Sequence, residues 1–196
     1  MKMDNVDSKI VTKAKQHLLD EESVAYKNLK PGSGKYSYLP RHLTQVERWA
    51  RRLLKEHPEA LEEVVLTAVW LHDIGLLIGP EEVDHAINSE AETKRFLSSI
   101  LTSEDLVARI SHCVRTHRCR DIQPETIEAK ILAVSDSASH MTDTVYIEMA
   151  NRGDREAAIA KLERDLRDIF IFPELRKEIM SLYQGWKSLL IAYPNR

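Results

Sequence analysis

Apolar residues follow the 3.6-residue period of an amphipathic helix along most of this 196-residue chain. The clearest run places Val46, Trp49, Ala50 and Leu53 on one stripe, at the spacing i, i+3, i+4 and i+7. No segment alternates apolar and polar residues for long enough to indicate a strand. Only six glycines and seven prolines interrupt the pattern. The sequence therefore predicts an all-α fold, a compact single-domain helical bundle.

Breaks in the apolar pattern divide the chain into predicted helices. They cover about 8–26, 41–57, 58–73, 84–101, 103–118, 124–141 and 154–169, and a last helix follows Pro173 and ends near Tyr193. The Lys-Pro-Gly-Ser-Gly segment at 30–34 predicts a flexible loop. We expect an N-terminal helix and loop over 1–37, a core over 38–141, and C-terminal helices over 142–196 that pack on the core within one structural domain.

Composition excludes several classes of protein. The chain has 28 basic and 31 acidic residues, a balance that argues against nucleic-acid binding through bulk electrostatics. It contains no apolar run near the roughly 18 residues that span a bilayer, and its polar start lacks the apolar region of a secretory signal. The two cysteines, Cys113 and Cys119, have no CxxC spacing, which argues against a disulfide-stapled secreted domain. A cytoplasmic location without membrane association is the expectation.

A His-Asp pair, His72-Asp73, stands at the end of a strongly apolar predicted helix. Its neighbours Val69, Trp70 and Leu71 indicate that both polar side chains are buried. Burying such groups without partners costs about 2–7 kcal/mol each. A shared divalent cation would satisfy both, because imidazole nitrogen and carboxylate oxygen are natural ligands of such ions.

Further ligands must come from elsewhere in the chain, and four positions qualify. His42 and His85 each open a predicted helix, His117 closes one, and Asp136 follows the apolar run at 131–134.

Helical geometry separates these positions from other candidates. His117 lies within about 60° of Cys113 and of the apolar residues before it, on the inward face, whereas His112 lies about 120° away and is expected to point toward solvent. Asp136 interrupts a helix that is apolar on both sides, so it is expected to be a buried carboxylate that needs a cation. His140 lies on the same helix face as Asp136 and is interpreted either as a polar core residue or as a partner of a metal-ligating residue. His17 and His57 are interpreted as ordinary surface residues.

The order His42, His72-Asp73, Asp136 resembles the HD superfamily of metal-dependent phosphohydrolases, and the string at 72–75 matches its HDIG form. The segments 38–42 and 131–136 resemble those that carry the first and last ligands. The segments 84–86 and 110–117 resemble the two additional histidine sites of dinuclear members. The resemblance extends over about 38–141. Two departures are that Leu76 stands where many HDIG proteins have lysine, and that no Gly-Tyr-Pro follows His117, which disfavours cyclic-di-GMP cleavage.

The resemblance implies a set of metal ligands. His42, His72, Asp73 and Asp136 would hold one ion, and Asp73 would bridge to a second ion bound by His85 and His117. The cofactor would be one or two divalent ions, and this ligand set does not distinguish Mn, Fe, Ni, Co, Mg or Zn.

Other residues are candidates by their proximity to the implied site. Asp73 and Asp84 are candidate catalytic carboxylates, although Asp84 can equally be the N-cap of its helix. The candidate phosphate-binding cations are Arg41, Arg118, Arg120 and Lys161.

The leading hypothesis is a phosphohydrolase that uses metal-activated water on a nucleotide or another small phosphate ester. One alternative is a di-iron oxygenase that cleaves a C–P or C–C bond on the same fold. Another is a non-catalytic metal- or nucleotide-binding sensor. The expected partner is a small phosphorylated molecule, with no specific binding of nucleic acid, and formation of a homodimer is left open.

Overall fold

The computed structural model describes residues 8–28, 39–101 and 103–194. Within these ranges every regular element is helical, so the predicted all-α fold is confirmed. The elements are α1 (Lys9–Asn28), α2 (Leu39–Glu56), α3 (Glu62–Leu71), α4 (His85–Ile100), α5 (Glu104–Thr116), α6 (Ile127–Met141), α7 (Val145–Asn151), α8 (Arg155–Ile169) and α9 (Arg176–Ala192), with 3-10 turns at Ile74–Leu76 and Pro173–Leu175. The predicted loop at 30–34 lies outside the described residues.

Two buried helices, α3 and α6, form the centre of the bundle. All residues of α3 from Val64 to Leu71 are buried, and so are most residues of α6. Helices α2 and α5 pack against both of them, and α8 packs against α6. This arrangement directs side chains from α2, α6 and the ends of α3 and α5 toward a common interior region.

Two predicted helix starts are wrong by three or four residues. The helix expected from about Pro58 begins at Glu62, because the Leu61 N–H donates to Glu128 Oε1 at 3.1 Å, a cap supplied from α6. The helix expected from Pro124 begins at Ile127, because Thr126 Oγ1 accepts from the Ala129 N–H. The short helix α7 was not expected.

Two histidines interpreted as surface residues are mostly buried. The His17 side chain is only 13% exposed, stacks on Phe96 at 4.1 Å, and lies 2.7 Å from Glu92 Oε1. The His57 ring stacks on Phe172 at 4.5 Å. The surface interpretation is therefore wrong for both. His112, expected to face solvent, is partly exposed, and its Nε2 accepts from the Glu125 N–H at 3.5 Å.

Gly75 allows the turn at Ile74–Leu76 to approach α4 closely. Its N–H donates to Ser89 Oγ at 2.8 Å, and a Cβ on this residue would lie 2.3 Å from the His85 carbonyl oxygen. Because that oxygen belongs to the backbone, movement of a side chain could not relieve the clash. The close approach connects the Asp73 turn to the first residue of α4.

The C-terminal helices pack on the end of α6. The Trp186 indole N–H on α9 donates to the Met141 carbonyl, and its ring meets Tyr146 edge-on at 5.3 Å. In the part of the chain that the structure describes, no helix combines the length and apolarity needed to cross a membrane.

Candidate metal centre

Two of the predicted ligands, His72 and His117, directly follow α3 and α5. Each ring places Nδ1 close to the carbonyl three residues earlier, at 2.9 Å from Val69 O and 2.6 Å from Val114 O. A carbonyl can only accept, so Nδ1 carries a proton and donates to the last turn of its own helix. Nε2 is therefore the atom that each ring presents to the interior, the arrangement typical of ligating histidines.

His42 reaches the same region from the buried face of α2. Its Nδ1 lies 3.2 Å from Ser139 Oγ, and that hydroxyl donates its own proton to the Asp136 carbonyl at 2.7 Å. The hydroxyl oxygen can then only accept from His42, so His42 Nδ1 is the donor. Its Nε2 faces the carboxylates of Asp73 and Asp136 at 3.5 Å and 3.2 Å.

His85 is the first residue of α4, and Asp84 caps that helix by accepting from the Ala86 N–H at 3.0 Å. The N-cap fixes the direction in which His85 leaves the helix. Its Nε2 lies 3.2 Å from Asp73 Oδ1 and 3.3 Å from His117 Nε2.

The two oxygens of Asp73 face different pairs of histidines. Oδ2 lies 3.5 Å and 3.6 Å from the Nε2 atoms of His42 and His72. Oδ1 lies 3.2 Å and 3.8 Å from those of His85 and His117. This is the geometry in which one carboxylate can bridge two neighbouring ions.

Asp136 projects from α6 toward the first histidine pair. Its Oδ1 lies 3.2 Å from His42 Nε2 and 3.7 Å from His72 Nε2. The ligand atoms of His42, His72 and Asp136 lie within 4.8 Å of one another, and so do those of His72, Asp73 and His117. The structure thus brings all six residues that were predicted as metal ligands into one cluster.

The electrostatics of the cluster favour ionised carboxylates. Burial alone would raise the pKa of Asp73, but the neighbouring His72 and His85 outweigh it and hold this pKa well below its usual value. For Asp136, burial is likewise outweighed by His140 and His42, and its pKa is also held well below the usual value. Two negative charges therefore persist in a buried site.

The histidines respond differently to the same surroundings. Burial lowers the pKa of His42, and it lowers the pKa of His117 to about 3, so both are neutral. Burial acts in the same direction on His72, but Asp73 and Asp136 outweigh it and raise its pKa to about 9. The two carboxylates thus favour a positive charge at His72, in the place where a cation would act.

The residues present fit a divalent metal ion. His72 Nε2 is fully buried and makes no hydrogen bond with any described residue, while Asp73 and Asp136 oxygens lie 3.6 Å and 3.7 Å away. An ion coordinated by all three would satisfy them together. Nitrogen and oxygen ligands without thiolates suit several divalent metals.

Comparison with known families agrees with this geometry. A family model described as the HD domain matches residues 41–141, which is more than half of the chain. The chain belongs to the HD domain family. Searches of curated proteins and of solved structures found no match. Members of the HD domain family are typically metal-dependent hydrolases that bind divalent ions.

A layer of polar side chains packs behind the six candidate ligands of this HD domain. His140 stacks on His42 at 5.1 Å, and its Nδ1 lies 3.3 Å from Asp165 Oδ2. Asp165 also accepts from Lys161 Nζ and, at 2.7 Å, from the Tyr146 hydroxyl. Of the two interpretations of His140, the structure thus favours a partner of the ligands, since its Nε2 lies 3.6 Å from Asp136.

The cluster opens into a cavity of about 240 Å³. Three of the candidate phosphate-binding cations, Arg118, Arg120 and Lys161, line it. Arg41 does not line it; its side chain is 60% exposed and pairs at 3.3 Å with Asp143, which does line the cavity. Asp84 lies beside the cavity and accepts a hydrogen bond from Arg118.

Sequence reasoning missed Arg164, Asp165 and Asp168, all on α8 and all lining the cavity. Together with Lys161 they form a polar stripe at helical spacing beside the buried residues Ala158 and Leu162. This spacing is the signal in the sequence that could have indicated these residues, but the solvent-exposed face of an ordinary helix shows the same pattern.

Proposed function

We propose that this chain is a metal-dependent phosphohydrolase that acts on a nucleotide or another small phosphate ester. The bridging arrangement of Asp73, whose two oxygens face different histidine pairs, carries the proposal. Asp73 Oδ2, His42, His72 and Asp136 would hold one ion. Asp73 Oδ1, His85 and His117 would hold the other.

Divalent ions in these positions supply Lewis-acid chemistry, since they polarise a phosphoryl oxygen and make water a nucleophile at neutral pH. The protein contributes the fixed geometry. Nδ1 donation by His42, His72 and His117 holds each ring in one orientation, so that the ligand nitrogens need little reorganisation.

Charge balance favours an anionic substrate. The six proposed ligands contribute two negative charges, from Asp73 and Asp136, because histidine ligands are neutral. Two divalent ions would therefore leave an excess of positive charge, which attracts a phosphate group.

Lys161 is placed to orient the substrate. Its Nζ lies 3.2 Å from Asp165 Oδ2 and 3.1 Å from His140 Nδ1, and its side chain lines the cavity. The buried Asp165 thus holds the ammonium group over the site. We assign Asp84 a positioning role, because its oxygens accept from the Ala86 N–H and from Arg118.

The test combines metal analysis with turnover of p-nitrophenyl phosphate in the presence of Mn, Fe, Co, Ni, Mg or Zn. We expect bound metal and metal-dependent release of phosphate. Asp73→Asn should lower the activity by more than about 100-fold, because changing even an outer partner of a ligand costs about 10–100-fold. Asp20→Asn, the same change on an exposed residue of α1, should have no effect.

Full activity of Asp73→Asn would refute the assignment of the site. Absence of turnover by the metal-loaded protein, together with oxygen consumption by the iron-loaded form, would favour the oxygenase alternative.

A further inference from the structure

Three guanidinium groups line one side of the cavity. Arg118 and Arg120 follow the proposed ligand His117, and Arg164 comes from α8. Arg118 donates to Asp84 Oδ2, and Arg120 Nη1 lies 3.8 Å from the same oxygen. Arg164, half-buried, makes no hydrogen bond or ion pair with another residue of the described chain. One carboxylate is therefore shared by two arginines, and the third has none.

A strained residue places two of these arginines together. Cys119 has a φ of +48°, the left-handed region that side-chain-bearing residues seldom adopt. Its N–H donates to the Thr116 carbonyl at 3.0 Å, and its own carbonyl accepts from Gln123 Nε2 at 3.0 Å. The turn directs the residues on either side, Arg118 and Arg120, toward the same carboxylate. Strain of this kind persists only where the surroundings impose it, and it concentrates at functional sites.

Arg118 and Arg164 both lie close enough to Arg120 to affect its pKa. Burial lowers the pKa of Arg120, and the positive charges of Arg118 and Arg164 lower it further. Like charges held together at a partly buried position are unfavourable unless an anion joins them. The cluster is thus suited to an anion that the chain itself does not supply.

The position of the cluster indicates what that anion is attached to. Arg118 is adjacent to His117, and Asp84, which Arg118 and Arg120 both approach, is adjacent to His85, so these two arginines lie beside the second pair of proposed ligands. Arg118 also lines a neighbouring cavity of about 680 Å³, which shares Leu76 and His85 with the first. A substrate that extends from the proposed ligands toward the second cavity passes Arg118, while Arg120 and Arg164 face it from the first cavity.

We propose that Arg118, Arg120 and Arg164 bind a second phosphate group of the substrate, next to the phosphate held at the metal cluster. The substrate class is then a compound with linked phosphates, such as a nucleoside diphosphate, rather than a phosphomonoester with a neutral leaving group. Guanidinium groups suit this task because they donate paired hydrogen bonds to phosphate oxygens. This inference rests on the proposed function.

The test measures binding instead of turnover. Isothermal titration calorimetry of the Mg-loaded protein compares the phosphonate analogue of adenosine monophosphate, in which a methylene group replaces the 5′ oxygen and prevents hydrolysis, with α,β-methylene adenosine diphosphate, which resists cleavage between its phosphates. The two ligands share base and sugar, so their difference reports the second phosphate. We expect the diphosphate analogue to bind at least about tenfold more tightly, since charged hydrogen bonds are among the stronger ones.

Substitutions then assign the difference to the cluster. Arg164→Gln should weaken binding of the diphosphate analogue by about tenfold and change binding of the monophosphate by less than about twofold, and Arg164→Lys should retain part of the preference because it keeps the charge. Arg152→Gln, the same change on an exposed residue outside the cavity, should change neither affinity. Because no hydrogen bond or ion pair joins Arg164 to another residue of the described chain, its variants should melt within a few degrees of the wild-type protein.

Equal affinity of the wild-type protein for the two ligands would overturn the proposal, and so would an equal loss for both in Arg164→Gln. A preference for the diphosphate analogue in a protein that hydrolyses no phosphate ester would leave the subsite standing and refute the proposed function. Hydrolysis of p-nitrophenyl phosphate without any such preference would do the reverse.

Discussion

Two tyrosines that pack against α8 test how burial changes the contribution of a hydrogen bond to the free energy of unfolding. Tyr146 is fully buried, and its hydroxyl donates at 2.7 Å to Asp165 Oδ2, itself buried. Tyr146→Phe removes the hydroxyl and keeps the ring. A hydrogen bond to a charged group contributes about 1.5–3 kcal/mol. Lys161 and His140 still face Asp165 in the variant, so we expect the lower part of this range, about 1.5–2 kcal/mol.

The matched control is Tyr183→Phe. The Tyr183 hydroxyl also donates at 2.7 Å to a carboxylate on α8, but this acceptor, Glu163, is 44% exposed, and Lys187, which donates to the same hydroxyl, is 38% exposed. Water can replace the lost donor there, so we expect a cost below about 1 kcal/mol. Urea unfolding measures both free energies. In thermal unfolding, about 2–4 °C per kcal/mol at this chain length predicts that Tyr146→Phe lowers the melting temperature by about 3–8 °C.

Equal costs for the two substitutions would refute this reasoning, because the hydrogen bonds have the same length and differ in burial. A stabilising effect of Tyr146→Phe would show that Asp165 is satisfied without the hydroxyl.

Three further predictions concern other parts of the molecule. Gly75→Ala should lower the free energy of unfolding, measured by calorimetry, by at least about 1–3 kcal/mol and should weaken metal binding, because the added Cβ would clash with the His85 carbonyl. Wild-type stability together with wild-type metal affinity would contradict the close approach. Burial raises the thiol pKa of Cys113 and Cys119 to about 12 each, so iodoacetamide at pH 8 should label the native protein far more slowly than the urea-unfolded protein. Burial alone would raise the pKa of Glu92, but its arginine and histidine partners outweigh burial and lower this pKa. The contribution of Glu92 to stability is therefore present above about pH 4.5 and is lost as the pH falls through the lower native pKa. The Glu92→Gln variant should accordingly lose less stability than the wild-type protein in urea titrations between about pH 6 and 3.

Several members of the candidate ligand cluster could be singled out from the sequence because they are polar residues in strongly apolar settings. His117 continues an apolar stripe, and Asp136 interrupts a helix that is apolar on both sides. His72 and Asp73 directly follow α3, the most apolar of the helices that the structure describes. A polar residue in such a setting must find a partner, and few kinds of partner can satisfy several of them together.

The incorrect and missed predictions share a different cause: each of these residues has surroundings formed by segments that are distant in the sequence. His17 and His57 were interpreted as surface residues because neither Phe96 nor Phe172 is near in sequence. Arg164 was missed because a polar stripe on a helix is usually solvated, and its direction depends on how α8 packs on α6. Tertiary contacts of this kind leave no periodic signal.

The walls of the cavity come from two parts of the chain that differ in what they contribute. Every proposed metal ligand lies within 41–141, the stretch that the HD family model matches, whereas Lys161, Arg164 and Asp165 lie on α8, beyond that stretch. One wall of the cavity is therefore encoded outside the stretch that carries the proposed ligands, while Arg118 and Arg120 lie inside it. Substitutions on α8 that keep Asp165 would therefore vary the surface facing a ligand while all six proposed metal ligands, and the contact between Asp165 and His140, stay in place.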